Sequence, residues 1–270
     1  MKGRPTYHPL IVHISSINQL HNWARDIPEY AIKLAREFWP GPMTLILSRS
    51  ELAKDFITGG QGNVGLRVPD QSVALGLLSE FEKLGGFGIA APSANRFGAV
   101  SPTTFEAVEE ELGSFLQTED LILDGGLSAV GVESSIIDCT KQCPVILRPG
   151  AITTEMIEKT INFKIPPELK KSILRASGLL ESHYSPKAKV VIGVTAEPGD
   201  GFIAMANIPT PTGVFRLASP LSTKHYARIL YNALRQGDRI NLNKIVVFPP
   251  TGEGLAVAIR DRLGKAANKN

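Results

Sequence analysis

The sequence predicts an α/β protein, a twisted-sheet domain followed by a small Rossmann-like α/β domain, on three observations. Short apolar runs alternate with helix-period patterns up to about residue 165. Pro166-Pro167, Ser177-Gly178 and the extended Ser182-His183-Tyr184-Ser185-Pro186 then interrupt the pattern. After Lys187 a second alternating series begins, and 270 residues are enough for two cores.

Taken in order, the apolar run Leu10-Ile11-Val12-His13-Ile14 opens the first domain as a strand, and a helical pattern follows over 17–23. A helix over 29–38 leads to a strand over 44–47. In the next strand, 64–68, period-two alternation sets Val64, Leu66 and Val68 on one face and Gly65 with Arg67 on the other. A helix over 72–82 precedes a strand over 88–91. The pattern Phe105, Val108, Leu112 marks a helix over 102–112, with Ser101 as its N-cap and Pro102 in its first position. Strands over 121–124, 135–138 and 145–148 and a helix over 154–160 complete this domain. The second series reads as strands over 189–194, 201–206 and 213–217, a helix over 223–235, a buried strand over 244–248 and a final helix over 254–267. There is no internal repeat and no low-complexity segment.

Composition narrows the function. Hydrophobic residues make up 43% and charged residues 20%, as in globular proteins, and the net charge of +3 suits an anionic ligand without a Lys/Arg block that would demand nucleic acid. No apolar run reaches the length of a membrane span, and the start carries no signal-peptide pattern, so a cytoplasmic location is expected. Cys139 and Cys143 are too few for a closed zinc site and read as a reduced, non-catalytic pair.

GxSxG, HExxH and GxxxxGK[ST] are all absent. Gly60-Gln61-Gly62-Asn63-Val64-Gly65 matches GxGxxG but precedes a strand instead of opening a helix, so it reads as a loop. The informative stretch is Ala91-Pro92-Ser93-Ala94-Asn95 with Ser101-Pro102-Thr103-Thr104, small hydroxyl and amide groups between a strand end and a helix start, where anions bind. Lys2, Arg4, Arg67 and Arg148 stand at strand and loop boundaries. Singly each reads as a solvated or ion-paired cation; together they suggest a polyanion cradle. Ser134 and Ser135 are equally turn serines or substrate contacts, and His13 is either a core histidine or a pocket donor.

Several ordered motifs carry a resemblance. Lys2-Gly3-Arg4-Pro5 with Pro9-Leu10-Ile11-Val12-His13, Trp39-Pro40-Gly41-Pro42-Met43-Thr44, the 64–69 strand, Pro92-Ser93-Ala94-Asn95, Ser101-Pro102-Thr103, Val132-Glu133-Ser134-Ser135 and Leu147-Arg148-Pro149-Gly150 occur in the order seen in the YrdC-domain family. His183-Tyr184-Ser185-Pro186 and the ending around Arg260 and Arg262 resemble the linker and C-terminal domain of its two-domain members, the threonylcarbamoyl-adenylate synthases.

The resemblance implies a catalytic domain over 1–175, a linker over 176–187 and a Rossmann-like domain over 188–270. It implies a nucleotidyltransferase that makes threonylcarbamoyl-AMP and pyrophosphate from L-threonine, bicarbonate and ATP, with Mg²⁺ held through the phosphates. The product would serve the tRNA-modifying threonylcarbamoyl transferase machinery. Carried over by position, Arg4, His8, Asn63, Ser93, Asn95, Ser101, Arg148 and Tyr184 would contact ATP, and His13, Arg67, Ala91 and Ser134 would line the threonine site. Lys2, Arg4 and Arg67 would be the catalytic cations, and Tyr184 the linker tyrosine that closes over the nucleotide.

His8, Asn63 and Ser135 stand where Asn, Thr and Thr are common in the family, and all three can still hydrogen-bond. Family members open with a helix, a strand and a Pro-Thr-Glu-Thr-type loop, and this sequence begins after them, which suggests a shortened form. The alternatives are a non-catalytic RNA- or nucleotide-binding protein, with weak RNA binding in either case, and an inactive remnant.

Overall fold

The computed structural model describes residues 2–166, 174–179 and 183–268. Pro167 and positions 180–182 of the expected linker lie outside the described residues. Two compact units emerge, both discontinuous in sequence: one comprises 4–92 and 133–179, the other 1–3, 93–132 and 180–270.

The first unit is built on six strands: β1 (Ile11–His13), β2 (Met43–Ser48), β3 (Asn63–Arg67), β4 (Ile89–Ala91), β5 (Ser135–Asp138) and β6 (Val145–Arg148). Their order is β4-β1-β3-β2-β5-β6. β1 runs parallel to β3 and β2 parallel to β5, while the β1–β4, β2–β3 and β5–β6 pairs are antiparallel.

Side-chain alternation sorts the two faces of this sheet. Val12, Leu45, Leu47, Val64, Leu66 and Ile137 enter the main core with Leu34 and Ala31 of α2 (Glu29–Phe38) and Ile157 of α6 (Thr154–Ile161). The opposite face carries Ile11, Ile46 and Ile136, over which Leu174, Ala176 and Leu179 pack. Arg175, between two of those residues, is clasped by Gln61: its N–H donates to Gln61 Oε1 at 2.9 Å, and Gln61 Nε2 donates to its carbonyl at 3.0 Å.

The second unit holds a fully parallel sheet of β7 (Lys189–Ile192), β8 (Gly201–Ile203), β9 (Phe215–Ala218) and β10 (Lys244–Val247) in the order β7-β10-β8-β9. Ile203, Ile245 and Val247 point to one core with Tyr226, Leu230 and Leu234 of α7 (Thr223–Arg239) and Ile259 and Leu263 of α8 (Leu255–Ala267). Phe202 and Val246 face the other way into a smaller cluster. Val100 and Val132 complete the larger core.

Two expectations are corrected. The 121–124 segment forms no strand: no neighbouring strand supplies a ladder, and Leu121 and Leu123 are exposed. Ser101 does not cap a helix at Pro102. The helix α5 spans Phe105–Leu112, and Thr104 caps it by accepting from the Ala107 N–H at 3.2 Å. Thr104 has the extended backbone an N-cap needs and puts its oxygen over the third residue on, so the later hydroxyl captures the start. The 17–23 helix is a 3-10 turn (Ile17–Gln19) running into α1 (Leu20–Trp23). Sequence reasoning also missed the single turn α3 (Asp55–Thr58), which ends on Gly59 in the left-handed region.

Candidate functional site

The sheet face that carries Ile11, Ile46 and Ile136 also gathers polar groups from four strands. In β3, Val64 and Leu66 are committed to the core, so Gly65 and Arg67 turn to the other face. Gly65 keeps that face shallow, since a Cβ there would lie 3.1 Å from Ile46 Cδ1 and 3.5 Å from Thr44 Cγ2. Pairing register places His13 beside Arg67 and Arg148 beside Ile136. Ser134 immediately precedes β5, and Thr44 lies in the neighbouring β2.

Arg148 is buried and held by three oxygens: Nε donates to the Ser134 carbonyl at 3.0 Å, Nη2 to Ser134 Oγ at 3.1 Å and Nη1 to the Ser177 carbonyl at 2.9 Å. Among the described residues no carboxylate pairs with it. Arg67 donates from Nε to the Gly41 carbonyl at 3.0 Å, and the Asp70 carboxylate stands 3.7 Å from Nη2. Burial holds the Arg67 guanidinium below its ordinary pKa; Asp70 opposes the shift and the charge of Arg148 adds to it. Two desolvated guanidinium groups that repel each other favour an anion between or beside them.

Burial, and then the charge of Arg67, push His13 down to about 4, against the smaller opposing pull of the Ile89 and Ile11 backbone. At neutral pH it is an uncharged imidazole. Ser134 Oγ, besides meeting Arg148, lies 2.8 Å from Thr44 Oγ1. Ser135 instead clasps the loop after Arg148, its Oγ donating to the Ile152 carbonyl at 2.6 Å and accepting from the Ile152 N–H at 3.1 Å. Gly150 is required there, because a Cβ would run into the Ser135 backbone and hydroxyl.

A second basic group lies at the start of the same unit. Arg4 donates from Nη2 to the Pro9 carbonyl at 2.7 Å, and burial lowers its pKa. His8 is lowered by burial and then by the charges of Arg4 and Arg175. Arg175 donates to the Gly59 carbonyl at 2.9 Å and lies 5.9 Å from the Tyr7 ring. Asn63 opens β3, and Ala91 closes β4 opposite Ile11.

The other expected residues belong to the second unit. Lys2 Nζ donates to the carbonyls of Ser93 and Asn95. Asn95 turns its amide inward, donating to the Arg96 carbonyl at 2.7 Å and the Ala99 carbonyl at 3.0 Å. Ser101 is buried and Ser93 exposed. Tyr184 has a left-handed backbone (φ 61°) and is buried in the larger core, its ring stacked 5.6 Å from Tyr231 and 5.4 Å from the Arg262 guanidinium.

Sequence reasoning therefore singled out His13, Arg67, Ser134 and Arg148, which the fold brings to one sheet face. It gave no role to Thr44, Asp70 or Arg175. Thr44 sits in Met43-Thr44-Leu45-Ile46-Leu47, where an apolar residue on both faces hides the alternation that would have exposed it.

The chain is similar to known proteins over nearly its whole length. A family model described as telomere recombination, Sua5/YciO/YrdC, matches residues 1–150, and one described as the C-terminal domain of threonylcarbamoyl-AMP synthase matches residues 152–268. A threonylcarbamoyl-AMP synthase of Pyrococcus abyssi is 38% identical across 98% of this chain and 82% of its own length. One of Bacillus subtilis is 36% identical across 98% and 81%. The crystal structure of P. abyssi Sua5 complexed with L-threonine superposes with a TM-score of 0.84 at 36% identity, covering 98% of this chain and 82% of that one.

Proposed function

We propose that this chain, which belongs to the Sua5/YciO/YrdC family, is a threonylcarbamoyl-AMP synthase that converts L-threonine, bicarbonate and ATP into threonylcarbamoyl-AMP and pyrophosphate. The observation that carries this reading is the Arg67–Arg148 pair beside Ser134 and a neutral His13 on one sheet face. These residues would receive the amino acid, with the guanidinium groups on its anionic oxygens and Ala91 in the wall.

In the reaction a carbamate oxygen of N-carboxythreonine forms a bond to the α-phosphorus as the bond to the leaving pyrophosphate breaks. Negative charge builds on the α-phosphate oxygens and on the leaving pyrophosphate, so fixed cations and N–H donors supply the catalysis and no protein nucleophile is needed. Lys2, Arg4 and Arg67 are the proposed catalytic cations. The proposed ATP contacts are Arg4, His8, Asn63, Ser93, Asn95, Ser101, Arg148 and Tyr184.

Mg²⁺ would be held through the phosphates: the groups that hold Arg148 are neutral, the Asp70 carboxylate is paired with Arg67, and the described residues contain no cluster of three metal-ligating side chains. The product passes to the threonylcarbamoyl transferase machinery that modifies tRNA, and the net charge of +3 admits weak RNA contact. Among the described residues no helix is long and apolar enough to cross a membrane, and a cytoplasmic location is proposed.

The test is pyrophosphate release. It should require both L-threonine and bicarbonate, and Arg148→Ala should lower it at least tenfold. Release that ignores threonine would sink the reading.

A further inference from the structure

The hydroxyl of Ser134 has only one proton, and its surroundings decide where that proton points. Arg148 Nη2 can only donate, so its 3.1 Å contact occupies one lone pair of Ser134 Oγ. The 2.8 Å contact with Thr44 Oγ1 needs one proton between two oxygens, and either residue could supply it. If Ser134 supplied it, the Thr44 proton would be stranded. Both side chains are buried, so either arrangement leaves one proton to be met from outside the pair; Ser134, beside the Arg148 guanidinium, is the one placed where an anionic ligand would meet it. If Thr44 supplies it, Ser134 accepts twice, from Arg148 and from Thr44, and its own O–H is left to donate to an incoming acceptor.

We propose that Thr44 is a positioning residue: its hydroxyl donates to Ser134 Oγ and thereby turns the Ser134 proton toward an anionic oxygen of the bound amino acid. Thr44 itself touches no substrate. Its methyl, 3.5 Å from where a Gly65 Cβ would stand, helps fill the floor of the same face. The inference deepens the proposed function and rests on Ser134 being a contact for threonine.

Calorimetric titration of the full chain with L-threonine separates the two claims, together with steady-state measurement of KM for threonine and for ATP. Thr44→Val keeps shape and volume but has no proton to give, whereas Thr44→Ser restores it. The expected result is about a tenfold weaker threonine Kd and higher threonine KM in Thr44→Val, an ATP KM changed less than twofold, and threonine binding within twofold of the parent in Thr44→Ser. Equal threonine affinity in parent and Thr44→Val would overturn the inference and leave the synthase reading standing. Equal losses in the Val and Ser variants would also overturn it, because packing and not the hydroxyl would then be responsible. A parent chain that binds no threonine overturns both.

Discussion

His13 shows how one largely buried side chain couples stability to acidity. Its folded pKa of about 4 lies below the ordinary 6.5, because burial and Arg67 both disfavour the imidazolium. The unfolded chain therefore binds a proton that the folded chain refuses between those two values. The contribution of His13 is fully present above pH 6.5, is lost as pH falls through that window, and is constant again below about 4. Each pH unit inside the window is worth roughly 1.4 kcal/mol. Between pH 7 and pH 5 the parent should lose about 2 kcal/mol from this residue, measured by urea unfolding at both values. His13→Asn should flatten that part of the profile, and an unchanged slope would remove His13 as the cause.

Among the elements, α5 is where the sequence misleads for an identifiable reason. Ser101-Pro102 has the form of a cap followed by a first helical residue, but Thr103-Thr104 offers two more hydroxyls before the apolar pattern begins at Phe105. Thr104 wins because it has both the extended backbone and the bond to Ala107. Removing it in Thr104→Ala should cost about 1 kcal/mol and speed hydrogen exchange at the Ala107 amide. Ser101→Ala should leave that amide protected. Strand β3 is the opposite case, since Val64, Leu66 and Arg67 alternate cleanly and the structure follows them. The 121–124 run fails for want of a partner strand, which a local pattern cannot reveal.

At the scale of the whole molecule, order along the chain and membership of a core part company. Val100 and Val132 precede β5 and β6 or stand at their threshold, yet they pack with α7 and α8. Fold class, most elements and the arginines were legible because each leaves a periodic or chemical mark in a short window. The two discontinuous cores and the role of Thr44 were not, because they depend on which distant segments meet. Arg175 illustrates the same point. In the sequence it borders a linker, the kind of segment where proteases cut. In the structure Gln61 holds both its N–H and its carbonyl, as a neighbouring strand would, and its guanidinium is tied to Gly59. A protease must pull the substrate backbone out into its own cleft, so the clasp has to open first. Limited trypsin digestion should therefore cut slowly after Arg175, and Gln61→Ala, with both backbone bonds gone, should make the same bond an early cleavage site.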